Sequence, residues 1–306
     1  MKLQERDEPR ADSASSLALP FPSRTNPFNL VSKAWTIAEW EARKIRHDFT
    51  DLITRAIQPL LWLIVFGETF TRIRAIPTGS VSYLSFLAPG ILAQSVLFIS
   101  IFAGIAIIWE RDLGVIHKFL ASPTPRVSLV VGKGLASGIR ALPQVIVIYI
   151  VALLLGAHLQ VNPLCILGVL VMAVLGAACF STFSLIIACL LKTRDRVMGI
   201  GQVLTMPLFF ASNAIYPISL MPRWLQVIAN INPLSYVVGS LRTLMLTSTT
   251  DYSSLFLDFG VVLAITVVLV AIGAACYPRI VQEKVPQGTE QRDDTVELIT
   301  CMYRWF

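Results

Sequence analysis

The chain has 306 residues, of which 55% are hydrophobic and only 14% charged, with a mean hydropathy of +0.68. Soluble domains carry about 25% charged residues, so the composition excludes an ordinary soluble domain and points to a multispanning membrane protein. The formal net charge of +6 could suit nucleic acid, but the basic residues sit at the ends of long apolar runs, so the expected partner is the lipid bilayer, with no nucleic acid.

Residues 1–29 are polar, rich in Pro and Ser, and lack a signal peptide; they are expected to form a disordered cytoplasmic tail. In residues 31–49 the apolar positions Val31, Trp35, Ala38, Ala42, Ile45 and Phe49 recur at steps of four and three, which gathers them on one helical face. Lys33, Arg43, Lys44 and Arg46 fall mostly elsewhere, so an amphipathic helix at the inner lipid interface is expected, with Trp35, Arg43 and Arg46 as its interfacial residues. It serves either as a plain anchor or also as a contact for a cytoplasmic partner.

A bilayer span needs about 20 apolar residues. The runs that meet or approach this length cover about 53–70, 83–109, 129–155, 163–191, 198–215 and 257–277. With an inside N-terminus, the outer loops 71–82, 156–162 and 216–256 hold Arg72, Arg74, Arg223 and Arg242, four of the 25 basic residues. That bias predicts both termini in the cytoplasm. The expected location is the cell's inner (plasma) membrane, crossed several times.

Between the second and third runs lies the strip ERDLGVIHKFLASPTPR, residues 110–126. Glu110, Arg111 and Asp112 mark the water boundary; Leu113, Ile116 and Leu120 share one face of a short helix that Pro123 and Pro125 end. It is either a solvated connector or a surface on which a soluble partner pushes. Lys133 and Arg140 sit early in the third run, which either starts late and leaves them at the interface or turns them toward a partner or pathway. Gly132, Gly134 and Gly138, with Ala136 and Ser137, allow close helix packing. GKGLASG is not a P-loop, because it lacks the GxxxxGK[ST] order.

Residues 216–242, YPISLMPRWLQVIANINPLSYVVGSLR, are apolar but broken by Pro217, Pro222 and Pro233. The segment 222–231 is too short to cross a bilayer, so a short outer-face or re-entrant helix is expected, resting on lipid or gating a path. The cysteines Cys165, Cys179, Cys189, Cys276 and Cys301 and the histidines His47, His117 and His158 are scattered, so no metal site is expected. There is no HExxH, no GxSxG and no paired intramembrane carboxylate to mark an intramembrane enzyme, and the spans offer little besides Lys133 and Arg140 to an ion-gradient carrier.

The expected fold class is an all-α membrane protein of six transmembrane helices, with an N-terminal amphipathic interfacial helix and short outer-face helices between spans five and six. Its organisation is a tail at 1–29, a transmembrane domain at 30–280 and a cytoplasmic C-terminal tail at 281–306.

Two segments carry a family resemblance over roughly residues 30–280. One runs FLAPGILAQSVLFISIFAGIAIIWERDLGVIHKFLASPTPRVSLVVGKGLASG; the other is YPISLMPRWLQVIANINPLSYVVGSLR. Together they resemble the permease subunits of ABC-type-2 exporters, especially the daunorubicin-resistance-like branch. The resemblance implies coupling to an ATPase at Glu110, Arg111, Asp112, Gly114 and Lys118. It also implies an outer signature segment containing Pro217, Asn232, Pro233 and Arg242. It implies two permease subunits, identical or not, working with two separate cytoplasmic ABC ATPases. ATP and Mg are then bound by the partner, with no cofactor and no catalytic residue in this chain, and the cargo is a hydrophobic drug-like, lipid or glycan molecule.

Overall fold

The computed structural model describes residue 39 and residues 49–73, 81–112, 126–191, 193–246 and 252–282. These residues are helical apart from short turns, with no strand among them. The helices are α1 (Phe49–Ile73), α2 (Tyr83–Ile105), α3 (Ile107–Asp112), α4 (Arg126–Leu154), α5 (Pro163–Leu190), α6 (Arg194–Phe210), α7 (Arg223–Ile231), α8 (Pro233–Leu246) and α9 (Tyr252–Gln282), with a 3-10 turn at Ile218–Leu220 before α7. Four helical stretches among the described residues are long and apolar enough to cross a membrane: Tyr83–Arg111, Arg126–Leu154, Pro163–Leu190 and Ser253–Cys276. The amphipathic segment predicted at 31–49 lies outside the described residues, apart from Glu39 and the first residue of α1, and so do the tails 1–29 and 283–306.

Local chemistry sets the helix ends. Ser82 caps α2 by accepting from the Ser85 N–H at 3.3 Å. Asn162 caps α5 by accepting from the Leu164 N–H at 3.1 Å, and Pro163 fills the first helical position, where a missing N–H costs nothing. Gly156 closes α4 at φ +87°, with Gly156 N–H bonding Leu153 O and Ala157 N–H bonding Ala152 O, a paired C-terminal cap that needs a left-handed residue. The loop after it is tied down at both sides: the His158 N–H donates to Ser85 Oγ at 2.9 Å, and the Gln160 N–H donates to Met245 O at 2.9 Å.

These ties collect the start of α2, the α4–α5 turn and the end of α8 at one end of the bundle. Glu110 and Lys133 lie together at the other. α2 forms the axis: it is buried along nearly its whole length and packs against α1, α4, α5 and α8. A lipid-facing bundle gains little from hydrophobic burial, because lipid tails are as apolar as Leu, so close backbone approach and interhelical hydrogen bonds hold the helices. Gly104 shows this: a Cβ there would stand 2.3 Å from the Ser181 carbonyl oxygen of α5, and next to it Ser184 Oγ donates to Ile101 O at 2.7 Å. Gly134 and Gly138 do the same for α4, where added carbons would meet Ala178 at 3.2 Å and Val174 at 2.7 Å, so the glycine cluster packs α4 on α5.

Helix bounds shift by a few residues from the expected runs, and two of these differences bear on the ends of the bundle. The third span, α4, starts at Arg126, before the expected window, so Lys133 and Arg140 lie inside it. The fifth candidate run stops at Phe210 and not at residue 215, and the chain turns through residues 211–216. There the C-terminal carbonyls of α6 are taken by side chains in place of a further helical turn: Asn232 binds Leu208 O and Ala211 O, and the Tyr216 hydroxyl binds Phe210 O.

Candidate functional site

At the end of the bundle where α3 finishes the second span, Glu110 forms an ion pair with Lys133 of α4. Both side chains are about seven-eighths buried, with 13% and 12% exposed. Pairing explains how a lysine is tolerated inside an apolar helix: each charge supplies the partner the membrane would otherwise deny the other. The Lys133 side chain therefore meets the end of the preceding span, at the charged boundary that Glu110 marks. Arg140 lies two turns further along α4 and lines the same small pocket with Glu110, Lys133, Ala103, Ala106, Ala136 and Ser137. Arg111 is half-buried beside this cluster, and Asp112 closes α3. Gly114 and Lys118 of the proposed coupling strip fall at 113–125, outside the described residues.

At the opposite end, the proline-broken segment 216–242 is an anchored structure and not a loose loop. Asn232 is 4% exposed and uses its whole amide. Its Nδ2 donates to Leu208 O at 2.7 Å and Ala211 O at 3.3 Å, while its Oδ1 accepts from the Leu234 N–H at 3.0 Å. One side chain thus closes α6 and caps α8, and Pro233 occupies the first position of α8. Arg242 of α8 reaches across the bundle: it donates from a terminal guanidinium nitrogen to Asn213 O at 2.8 Å and stacks 3.8 Å from the centroid of the Phe86 ring in α2. Burial pushes its pKa down to about 10, so it stays protonated near pH 7. Phe86 continues an aromatic series through Tyr83, Phe70, Phe66 and Trp62, which links α2 to α1. Pro217 precedes the 3-10 turn that leads to α7, and α7 presents Trp224, Val227, Ile228 and Ile231 on the surface. The ion pair and the Asn232–Arg242 clamp occupy opposite ends of the bundle.

Three features were missed by reading the sequence: the Glu110–Lys133 pair, the Phe86 and Asn213 partners of Arg242, and the buried amides of Gln94 and Gln144. The amides were findable, because uncharged polar residues inside apolar runs are as unusual as charges there. The ion pair needed the register of α3 against α4, which no spacing rule supplies.

A bundle of long apolar helices, with an ion pair at one end and a clamped, proline-broken segment at the other, defines a polytopic membrane protein. The family follows from comparison. Residues 33–246 match the family model described as ABC-2 type transporter, and the chain belongs to that family. It is similar to the transport permease ycf38 of Cyanophora paradoxa, with 32% identity over 207 residues covering 66% of this chain and 70% of the relative. It is also similar to the daunorubicin resistance ABC transporter permease protein DrrB1 of Streptomyces coeruleorubidus, 26% identical over 80% of this chain and 84% of that one. The inner membrane transport permease YadH of Escherichia coli K12 is 26% identical over 62% of this chain and 73% of its own length.

Proposed function

We propose that the protein is the membrane-spanning subunit of an ATP-driven exporter, moving a hydrophobic drug-like, lipid or glycan substrate out of the cytoplasm by alternating access. The unit is two permease copies and two separate cytoplasmic ATPases, which bind ATP and Mg. Six spans fit this reading: α1 and α6 run alongside the four long apolar helices and pack on α2. The Lys and Arg bias supports an orientation with both termini and the Glu110 end inside, and the Asn232 end outside. The drug-resistance names of relatives such as DrrB1 favour a drug-like cargo.

One observation carries the mechanism. The Glu110–Lys133 pair joins the inner end of the second span to the third across the segment 113–125, the segment expected to meet the ATPase. Force applied there is passed to two spans together and not to a loose loop. The ATPase supplies the chemistry, and this chain supplies two arrangements with different substrate exposure.

The test is a charge swap in the complex, with daunorubicin as efflux probe. Glu110→Lys or Lys133→Glu should reduce ATP-dependent efflux by about tenfold or more while the protein still inserts, and the double variant E110K/K133E should recover most of it. Full efflux in both single variants would refute the coupling role. Efflux that follows an ion gradient and ignores ATP would favour a secondary carrier instead.

A further inference from the structure

Midway along the bundle a cavity of about 90 Å³ opens between α1, α2 and α4, with Arg55, Gln58, Gln94, Phe98, Phe102 and Gln144 in its lining. Gln94 and Gln144 are 2% and 1% exposed, and the Gln94 side-chain carbonyl and both amide atoms of Gln144 have no hydrogen-bond partner among the described residues. Buried polar groups in native proteins are nearly always bonded, and inside a membrane the penalty for leaving them unbonded is greater.

We propose that this cavity binds the neutral hydroxyl- or amide-bearing end of an amphipathic small molecule, held by Gln94 and Gln144 with its apolar part against Phe98 and Phe102. As the polar end of the cargo site, this rests on the exporter reading. An amide offers one donor face and one acceptor face, so a pair of them matches groups that both give and take hydrogen bonds: hydroxyls and carboxamides. A cation is disfavoured, since the lining holds no carboxylate and does hold Arg55, whose guanidinium lies 5.8 Å from the Phe102 centroid. The volume corresponds to roughly three liquid waters, enough for a cluster of polar atoms but not a whole drug. Gln58 and Arg55 are exposed at the mouth, so the rest of the ligand leaves between them toward the open face of α1.

The test is photolabelling of the full-length permease in lipid nanodiscs, without ATPase, using a benzophenone bearing one glucosyl group. Matched probes carry a carboxylate or a trimethylammonium group in its place. The glucosyl probe should label α2 or α4 near the cavity, and Gln94→Leu, Gln144→Leu or Phe98→Ala should each weaken labelling about tenfold. The leucine variants should melt no lower than the parent, because replacing an unbonded buried amide by an apolar group is near neutral. Phe98 is partly exposed, so its variant keeps the test open if a leucine variant fails to fold. Competition by phenyl glucoside would identify a small amphiphile, and competition only by monoglucosyl diacylglycerol a lipid; either supports the site. Unchanged labelling in all three variants, or equal labelling by the carboxylate probe, would overturn it. Unchanged labelling with higher melting in the leucine variants would show that the amides hold water only. A failed label beside an intact charge-swap result removes the cavity alone; the reverse outcome removes the exporter mechanism alone.

Discussion

Asn232 is the residue whose loss reaches furthest. Its side chain closes α6 and opens α8, so Asn232→Ala removes a helix cap and strands two carbonyls at once. We expect a loss of about 2–3 kcal/mol in denaturation in mixed micelles. Asn232→Asp should not rescue it: a carboxylate keeps the cap for α8 but meets the Leu208 and Ala211 carbonyls with no proton to give. Arg242 gives a second test. Its planar guanidinium both stacks on Phe86 and donates to Asn213 O, which an ammonium cannot do together, so Arg242→Lys should cost about 1–2 kcal/mol in the same assay. The pH dependence has a definite sign. A base whose pKa is lowered on folding opposes folding while it is charged, so burial of Arg242 works against stability at neutral pH, and that opposition fades as pH rises through about 10. Between pH 6 and 8.5, replacing Arg242 should leave the slope of stability against pH unchanged.

Among the elements, close packing at glycine decides more than burial. Gly104→Ala places a carbon against the Ser181 carbonyl of α5, and backbone cannot swing aside as a flexible side chain can, so we expect about 1–3 kcal/mol of destabilisation by mixed-micelle denaturation. Gly260→Ala in α9 is the matched control: its new carbon would meet nothing within 4 Å and should cost little. Much of this level could be read in the sequence. Hydropathy placed the long helices within a few residues, including the start of α5 at Pro163, and the prolines at 217, 222 and 233 marked a short helix after α6. The rest depended on partners distant in sequence. Asn232 reaches back to Leu208 and Ala211 to end α6 early, and Lys133 finds Glu110 across the segment between spans. Hydropathy treats such residues as exceptions, because it reads one position at a time and a hydrogen bond or ion pair joins two. The amides of Gln94 and Gln144 stayed hidden for the same reason: a search for charges inside spans passes over uncharged polar groups.

At the scale of the whole molecule, the structure has two firm ends and exposed sides. The Glu110–Lys133 pair fastens one end, and the Asn232 and Arg242 clamp fastens the other. α9 lies at the periphery, with Phe256, Leu257, Val267 and Val268 on its surface, an arrangement suited to lipid or to a second copy. Firm ends on a bundle with a polar cavity between them are what a rocking movement needs, since a push at one end moves several helices together and does not melt a loop. The central claim is that a separate ATPase delivers that push. It is tested most directly by isolating the tagged protein from its native membranes in mild detergent and measuring subunit masses and stoichiometry. The expected result is a P-loop ATPase recovered in equal copy number with the permease, two of each. A preparation that stays free of any ATPase across several detergents, and still transports when given only an ion gradient, would contradict it.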